Sequence, residues 1–387
     1  MNSHPTKIWT RSFISIFLAT LLIFTAFYLL LPTLPLYIIS NLKTSTTNTG
    51  IALAAYTIAA LLIRPVTGFM IDMYGRKWIY LISVLLFALM FAGYELAITV
   101  MGMIMLRFLH GLLWGVTTTS GNTIAVDLVP MERRGEGLGY FGLSGTIPMA
   151  IGPMIGLWLI ANGTYQQLFI ASVVIGFAGF LIATMIKVPG IKHKSTFSFR
   201  NLIEITTLPV ALVLLINMIS YGGLVSFISL YVKETGEGNA GLFFLVYATG
   251  IAAARLTSGK IFDRKGPVLL AVISLISLFI GFIILALIHQ HLLFLLSAFL
   301  LGMGSGIISP TLQTMANNMV KPHRRGAANS TLFTALDLGI GIGMMLTGFL
   351  AGNAGLSNTF LLFSVLNIVA LVLFLSIAQK HYHLNKI

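Results

Sequence analysis

The chain has 387 residues, of which 57% are apolar and 9% charged, against roughly half and a quarter in soluble domains. That balance argues against a soluble globular protein, and the absence of cysteine excludes a disulfide framework, a thiol nucleophile and a cysteine-based metal site. A net charge of +13 would suit a nucleic-acid binder only if the basic residues gathered on one polar face; they fall instead in short connections between apolar runs, so no nucleic-acid partner is expected.

In chain order the predicted spans are 12–39, 48–71, 78–97, 100–128, 137–160, 167–188, 207–232, 239–261, 267–288, 292–319, 327–351 and 358–379. Most reach the roughly 20 apolar residues that cross a bilayer. Backbone polar groups in lipid must be satisfied within each span, so the segments read as helices, and the fold class as an all-α membrane protein of twelve transmembrane helices. The first run is much longer than the roughly 7 to 15 apolar residues of a signal-peptide core, so it is read as a span.

Lysine and arginine are enriched in cytoplasmic loops. Alternate connections carry Lys7 and Arg11; Arg76 and Lys77; Arg133 and Arg134; Lys187, Lys192, Lys194 and Arg200; Lys260, Arg264 and Lys265; Lys321, Arg324 and Arg325; and Lys380 and Lys386, while the opposite face has only Lys43 and Lys233. Both termini are therefore expected in the cytoplasm of a cell-membrane protein. The charged connection from about Gly190 to Thr206 is expected to be a linker (190–206) between an amino-terminal half (1–189) and a carboxy-terminal half (207–387).

The two halves repeat. The polar loop from Gly68 to Lys77 has the spacing Gly68, Asp72, Gly75, and the same spacing returns at Gly259, Asp263, Gly266, an offset of 191 residues. At that offset, without a gap, Tyr56 falls on Tyr247, Arg64 on Arg255, Gly115 on Gly306, Gly152 on Gly343 and Arg133-Arg134-Gly135 on Arg324-Arg325-Gly326. Charged residues falling in register with glycines point to a duplication.

These features resemble the major facilitator superfamily across essentially the whole chain. The loop with Gly68, Asp72, Gly75, Arg76 and Lys77 resembles its signature between helices two and three, with a partial copy at Gly259, Asp263 and Gly266. Arg107-x3-Gly111 resembles its helix-four signature. Gly145, Gly152, Pro153 and Gly156 resemble the helix-five motif of its drug:proton antiporters, where Leu157 stands in place of a common second glycine. The resemblance implies two pseudo-symmetric six-helix bundles rocking around a midplane site. It also implies that Asp72, Arg76 and Asp127 form a charge cluster latching helices two and four; a loop that merely fixes topology is the alternative.

Arg107 lies about 11 Å into its helix at 1.5 Å per residue, where a guanidinium costs at least about 3 kcal/mol unless it meets a partner or an aqueous cavity. It is expected to face inward. His110 shares its face at i+3, either relaying a proton or packing on the arginine. Asp337, about 15 Å into helix eleven, is read either as a proton carrier or as a structural acid paired with Arg107. Tyr28, Tyr56, Asn122, Asn217, Tyr221, Tyr247 and Gln313 are candidate substrate-binding residues, with ordinary helix packing as the alternative. The glycine face formed by Gly142, Gly145, Gly152 and Gly156 is expected to pack on a neighbouring helix, and Pro153 to loosen its own.

No catalytic constellation and no Walker sequence is present. Gly302-Met303-Gly304 lies inside a span, and the His289/His291 and His381/His383 pairs are short of metal ligands. No enzyme, cofactor or metal is expected. The reading is a monomeric proton-coupled exporter of a small organic compound, with substrate, proton and lipid bilayer as its partners. An importer of a metabolite or a lipid-moving member of the same fold is the alternative, and a membrane sensor the more distant one.

Overall fold

The computed structural model describes residues 7–130, 133–188, 203–236, 238–287, 290–321 and 324–386. It is helical from end to end: α1 (Arg11–Leu30), α2 (Leu34–Leu42), α3 (Thr46–Tyr74), α4 (Arg76–Met90), α5 (Gly93–Leu96), α6 (Val100–Leu128), α7 (Arg134–Asn162), α8 (Tyr165–Thr184), α9 (Leu208–Thr235), α10 (Ala240–Lys265), α11 (Pro267–Leu287), α12 (His291–Asn318), α13 (Arg325–Ala354), α14 (Leu356–Leu373) and α15 (Gln379–Asn385). Among the described residues, ten segments are long and apolar enough to cross a membrane, and Ala240–Arg255 in α10 is a shorter apolar one.

Two predicted spans are broken. The run 12–39 divides into α1 and α2 because Pro32 and Pro35 supply no N–H for the helical ladder; the Thr33 hydroxyl donates to the Leu29 and Leu30 carbonyls, both at 3.1 Å, and closes the turn. The run 78–97 divides into α4 and α5 around Phe91 and Ala92, where Ala92 N–H reaches Leu89 O at 3.1 Å. That break leaves α4 with 15 residues and turns Tyr94 back into the bundle. At the other end of the chain, α14 runs through a π-turn over Phe374–Ala378 into α15.

The helices form two compact units, Met1–Thr33 with Ile58–Phe197, and Leu34–Thr57 with Ser198–Ile387. In the first, α1 packs on α7 and α8, and α4 on α6 and α8. In the second, α9 packs on α13 and α14, and α11 on α12 and α14. These are the same pairings moved by one half-chain. The second unit also takes in α2, which packs on α9, and the start of α3, where Gly50 lies against the Met344 carbonyl and Gly348 of α13.

The repeat holds at the level of single contacts. A Cβ on Gly152 of α7 would meet Tyr28 of α1 at 2.6 Å, and one on Gly343 of α13 would meet the Ile219 carbonyl of α9 at 2.0 Å; both partners of the first pair map onto both partners of the second at the 191-residue offset. The turns before α4 and α11 repeat too, with Gly75 at φ 90° and Gly266 at φ 76°, a region that glycine enters without steric penalty.

Candidate functional site

Among the described residues, the most buried charge in the first unit is Arg107, on the turn of α6 before His110. Arg107 is 2% exposed and His110 fully buried. Arg107 Nη1 donates to Tyr94 Oη at 3.2 Å, and Tyr94 Oη shares a 2.9 Å hydrogen bond with His110 Nδ1. With His110 in its Nε2–H tautomer, the phenol accepts from the arginine and donates to the imidazole. The cluster is walled by rings: His110 lies 4.3 Å from Phe87 and 4.7 Å from Phe91, and Tyr94 stacks on Phe169 of α8 at 5.6 Å. Arg107 thus meets a partner inside its own bundle, and the partner is a residue that helical spacing does not bring to mind.

At the end of the bundle that carries the basic loops, Arg76, first residue of α4, forms an ion pair with Asp127 near the end of α6. Lys77 Nζ donates to the Thr184 carbonyl, at 3.0 Å, capping the last turn of α8. Asp72 and Asp263 sit on helical backbone, in α3 and α10, but their side chains lie outside the described residues, as does the surroundings of Gly259. Gly68 has nothing within 4 Å of a built Cβ.

The second unit has a charge pair of its own. Arg324, the residue preceding α13, donates from Nε to Glu204 Oε2 at 2.8 Å. Glu204 Oε1 accepts from the Thr206 hydroxyl at 3.0 Å, and its own N–H donates to Thr331 Oγ1 at 2.8 Å. Burial pushes the Glu204 carboxyl up, but the bonds from Arg324 and Thr206 outweigh it and hold the group below the usual carboxylate value. His381, on α15, bonds through Nε2 to the Thr206 carbonyl at 2.9 Å, so it is a structural partner of this turn. His289 lies outside the described residues, and among the described residues no group of three or more His, Asp or Glu could hold a metal.

The remaining candidates are distributed through both units. Asp337 lies on α13 at 8% exposure. Asn217 Nδ2 donates to Asn367 Oδ1 at 3.0 Å, tying α9 to α14, and Gln313 Nε2 donates to Asn329 Oδ1 at 3.2 Å, tying α12 to α13. Tyr56 and Tyr247 are each 1% exposed; Tyr247 stacks on Phe243. Tyr221 is half-buried, and Tyr28 packs beside Phe24 and Phe27.

In α7, Gly156 fits against the Leu29 carbonyl so closely that a Cβ would stand 2.1 Å from it, and Gly145 faces Phe24. Gly142 does not belong to that face: nothing lies within 4 Å of its built Cβ. Pro153 and Pro148 both lie inside α7. Among α1, α4, α6 and α7 there is a cavity of about 20 Å³ lined by Thr20, Phe24, Tyr80, Thr117, Asn122 and Phe141 with their neighbours.

The sequence model of the Major Facilitator Superfamily matches residues 16–267 and 210–386. The chain belongs to the Major Facilitator Superfamily.

As a superfamily member the protein is a multi-pass membrane transporter of two six-helix bundles. It is 25% identical over 384 residues to the staphylopine export protein of Staphylococcus aureus, covering 93% of this chain and 94% of that protein. It is 24% identical over 394 residues to the multi-drug resistance efflux pump PmrA homolog of Lactococcus lactis, covering 95% and 96%. Among solved structures, a bacterial homolog of the human lysosomal transporter Spinster, inward-facing and unoccupied, superposes with a TM-score of 0.78 at 14% identity, covering 99% of both chains. That likeness concerns the fold.

Proposed function

We propose that the protein is a proton-coupled secondary exporter of a small organic compound, working as a monomer by alternating access with both termini in the cytoplasm. The observation that carries the reading is the joined Arg107-Tyr94-His110 cluster, which keeps a buried guanidinium, hydrogen-bonded to a phenol, inside the first bundle. A group of this kind inside a membrane is expensive unless it serves ion or substrate movement. Asp337 supplies a carboxyl within a span of the second bundle. The export direction is supported by the two relatives named for efflux and export.

In this reading Asp337 takes and releases the proton, Arg107 lies buried in the first bundle with Tyr94 and His110, and the Arg76-Asp127 pair holds one conformation. The pair is largely but not fully buried, at 17% and 12% side-chain exposure, so its attraction is offset in part by the cost of desolvating both charges, and such a latch can open within each cycle. The test is proton release from acid-loaded liposomes containing purified protein and an internal pH dye, challenged with a panel of organic compounds beside an Asp337→Asn variant. Substrate-driven alkalinisation with the native protein and none with the variant is expected. Equal activity of the variant would remove Asp337 from the coupling path, and a silent native protein would overturn proton-coupled export.

A further inference from the structure

The cavity among α1, α4, α6 and α7 is not used by the proton path and has the make-up of a binding subsite. Its wall carries hydroxyls and an amide from Thr20, Tyr80, Thr117, Thr118 and Asn122, and rings from Phe24, Tyr80 and Phe141. Among the described residues, no Lys, Arg, His, Asp or Glu lines it. Two of the hydroxyls are buried, and one of them is under-used. Tyr80 is 1% exposed and Thr117 3% exposed; Thr20 is a side-chain hydrogen-bond partner of Tyr80, whereas Thr117 Oγ1 has no partner among the described residues. Thr118, by contrast, is satisfied by the Trp114 carbonyl at 2.8 Å.

Buried hydroxyls without partners are uncommon, since each forgoes roughly 1–3 kcal/mol. The space of about 20 Å³ exceeds the roughly 10–15 Å³ that one water needs, so it admits a single water or the tip of a larger molecule. A charged group would find no counter-ion there and would lose its hydration. A neutral hydroxyl or carbonyl, carried on an apolar or aromatic body that packs on Phe24 and Phe141, satisfies the walls. The Tyr80 ring also rests on bare backbone: a Cβ on Gly121 would stand 3.1 Å from its Cε2.

Position adds a reason for the site to matter. Tyr80 is one turn along α4 from Arg76, and Asn122 is five residues before Asp127 on α6. The two helices that present the hydroxyls are thus the two joined by the Arg76-Asp127 pair, at the end of the bundle that carries the basic loops. We propose that this cavity is a subsite for an uncharged hydrogen-bonding group, hydroxyl or carbonyl, of the transported compound, seated on Tyr80 Oη and Thr117 Oγ1 beside the helix pair that the latch controls.

The proposal rests on the transport reading, and its test is kept separate by measuring binding without any gradient. Full-length protein in lipid nanodiscs is titrated with 4-fluorophenol and with fluorobenzene and followed by ligand-observed fluorine NMR. Native protein is expected to bind the phenol roughly tenfold more tightly than its deoxy analogue, beyond what empty nanodiscs take up. Tyr80→Phe and Thr117→Val, each nearly isosteric, are expected to remove that preference while leaving fluorobenzene binding and the unfolding midpoint in place; Thr314→Val, outside the cavity, is expected to keep it. Equal binding of the two probes to native protein would mean that the cavity holds water only, and a preference surviving in both variants would place the hydroxyl elsewhere. Either result overturns the subsite. Failure of proton release in liposomes with the binding preference intact would instead count against the coupling alone.

Discussion

Removing one oxygen from Tyr94 tests whether the α6 cluster is an energetic unit. Tyr94→Phe keeps the ring and its stacking on Phe169 but deletes the hydroxyl that joins Arg107 and His110. All three residues are buried, at 0%, 2% and 0% exposure in the order Tyr94, Arg107, His110, so solvent does not take over the lost bonds. A hydrogen bond to a charged donor is worth about 1.5–3 kcal/mol and a neutral one about 0.5–1.5 kcal/mol. The 3.2 Å bond from Arg107 belongs at the low end of its range, which gives a total of about 2–4 kcal/mol. With roughly 2–4 °C of midpoint per kcal/mol for a unit of this size, the unfolding midpoint in detergent is expected to fall by about 5–15 °C. Tyr74→Phe, at an exposed tyrosine, is the control and is expected to change nothing. A cycle with His110→Gln is expected to show non-additivity above about 0.5 kcal/mol. If Tyr94→Phe unfolds with the control, the cluster is a packing accident and the reasoning that makes it an energetic unit fails.

Two further substitutions probe the scaffold. Gly156→Ala places a methyl 2.1 Å from the Leu29 carbonyl, so α1 and α7 must move apart, and a loss of about 1–3 kcal/mol in thermal unfolding is expected; Gly142→Ala, with open space, is expected to be neutral or to gain up to about 1 kcal/mol from helix propensity. Glu204→Gln reads the second charge pair through pH. The Glu204 carboxyl is held below its ordinary 4.5, so its contribution is full above that value and is lost as pH falls through the lowered one. The native protein is therefore expected to exceed the variant by about 1 kcal/mol near pH 7, and the difference to shrink as pH falls below 4.5 and to be lost only below the lowered value; a difference that stays constant with pH would show that the pair contributes nothing through its charge.

What the sequence made legible follows from range. Apolar runs reveal helices because the bilayer acts on each segment alone, and α6 begins and ends at Val100 and Leu128 where the hydropathy reading puts it. The break after α1 was hidden because Leu31, Pro32, Thr33, Leu34 and Pro35 remain largely apolar; the lost backbone donors leave no mark on hydropathy. Within a helix, spacing brought His110 to Arg107. Tyr94 was out of reach, since it comes to Arg107 through a turn between α4 and α5 that the same hydropathy concealed.

The duplication shows the same division between what shape demands and what charge demands. Gly152 beside Tyr28 and Gly343 beside Ile219 recur at the same offset because a backbone crossing that close admits no Cβ on one partner, and the requirement is fixed to that residue. An ion pair needs only that two opposite charges be brought within reach. The first bundle builds its pair from Arg76 and Asp127, where the second has Pro267 and Asn318 at the offset; the second builds one from Arg324 and Glu204, the latter opposite Phe13 of the first. Register therefore locates the glycine crossings and misses the second charge pair, whose members come together only when the end of the central linker is laid against the start of α13.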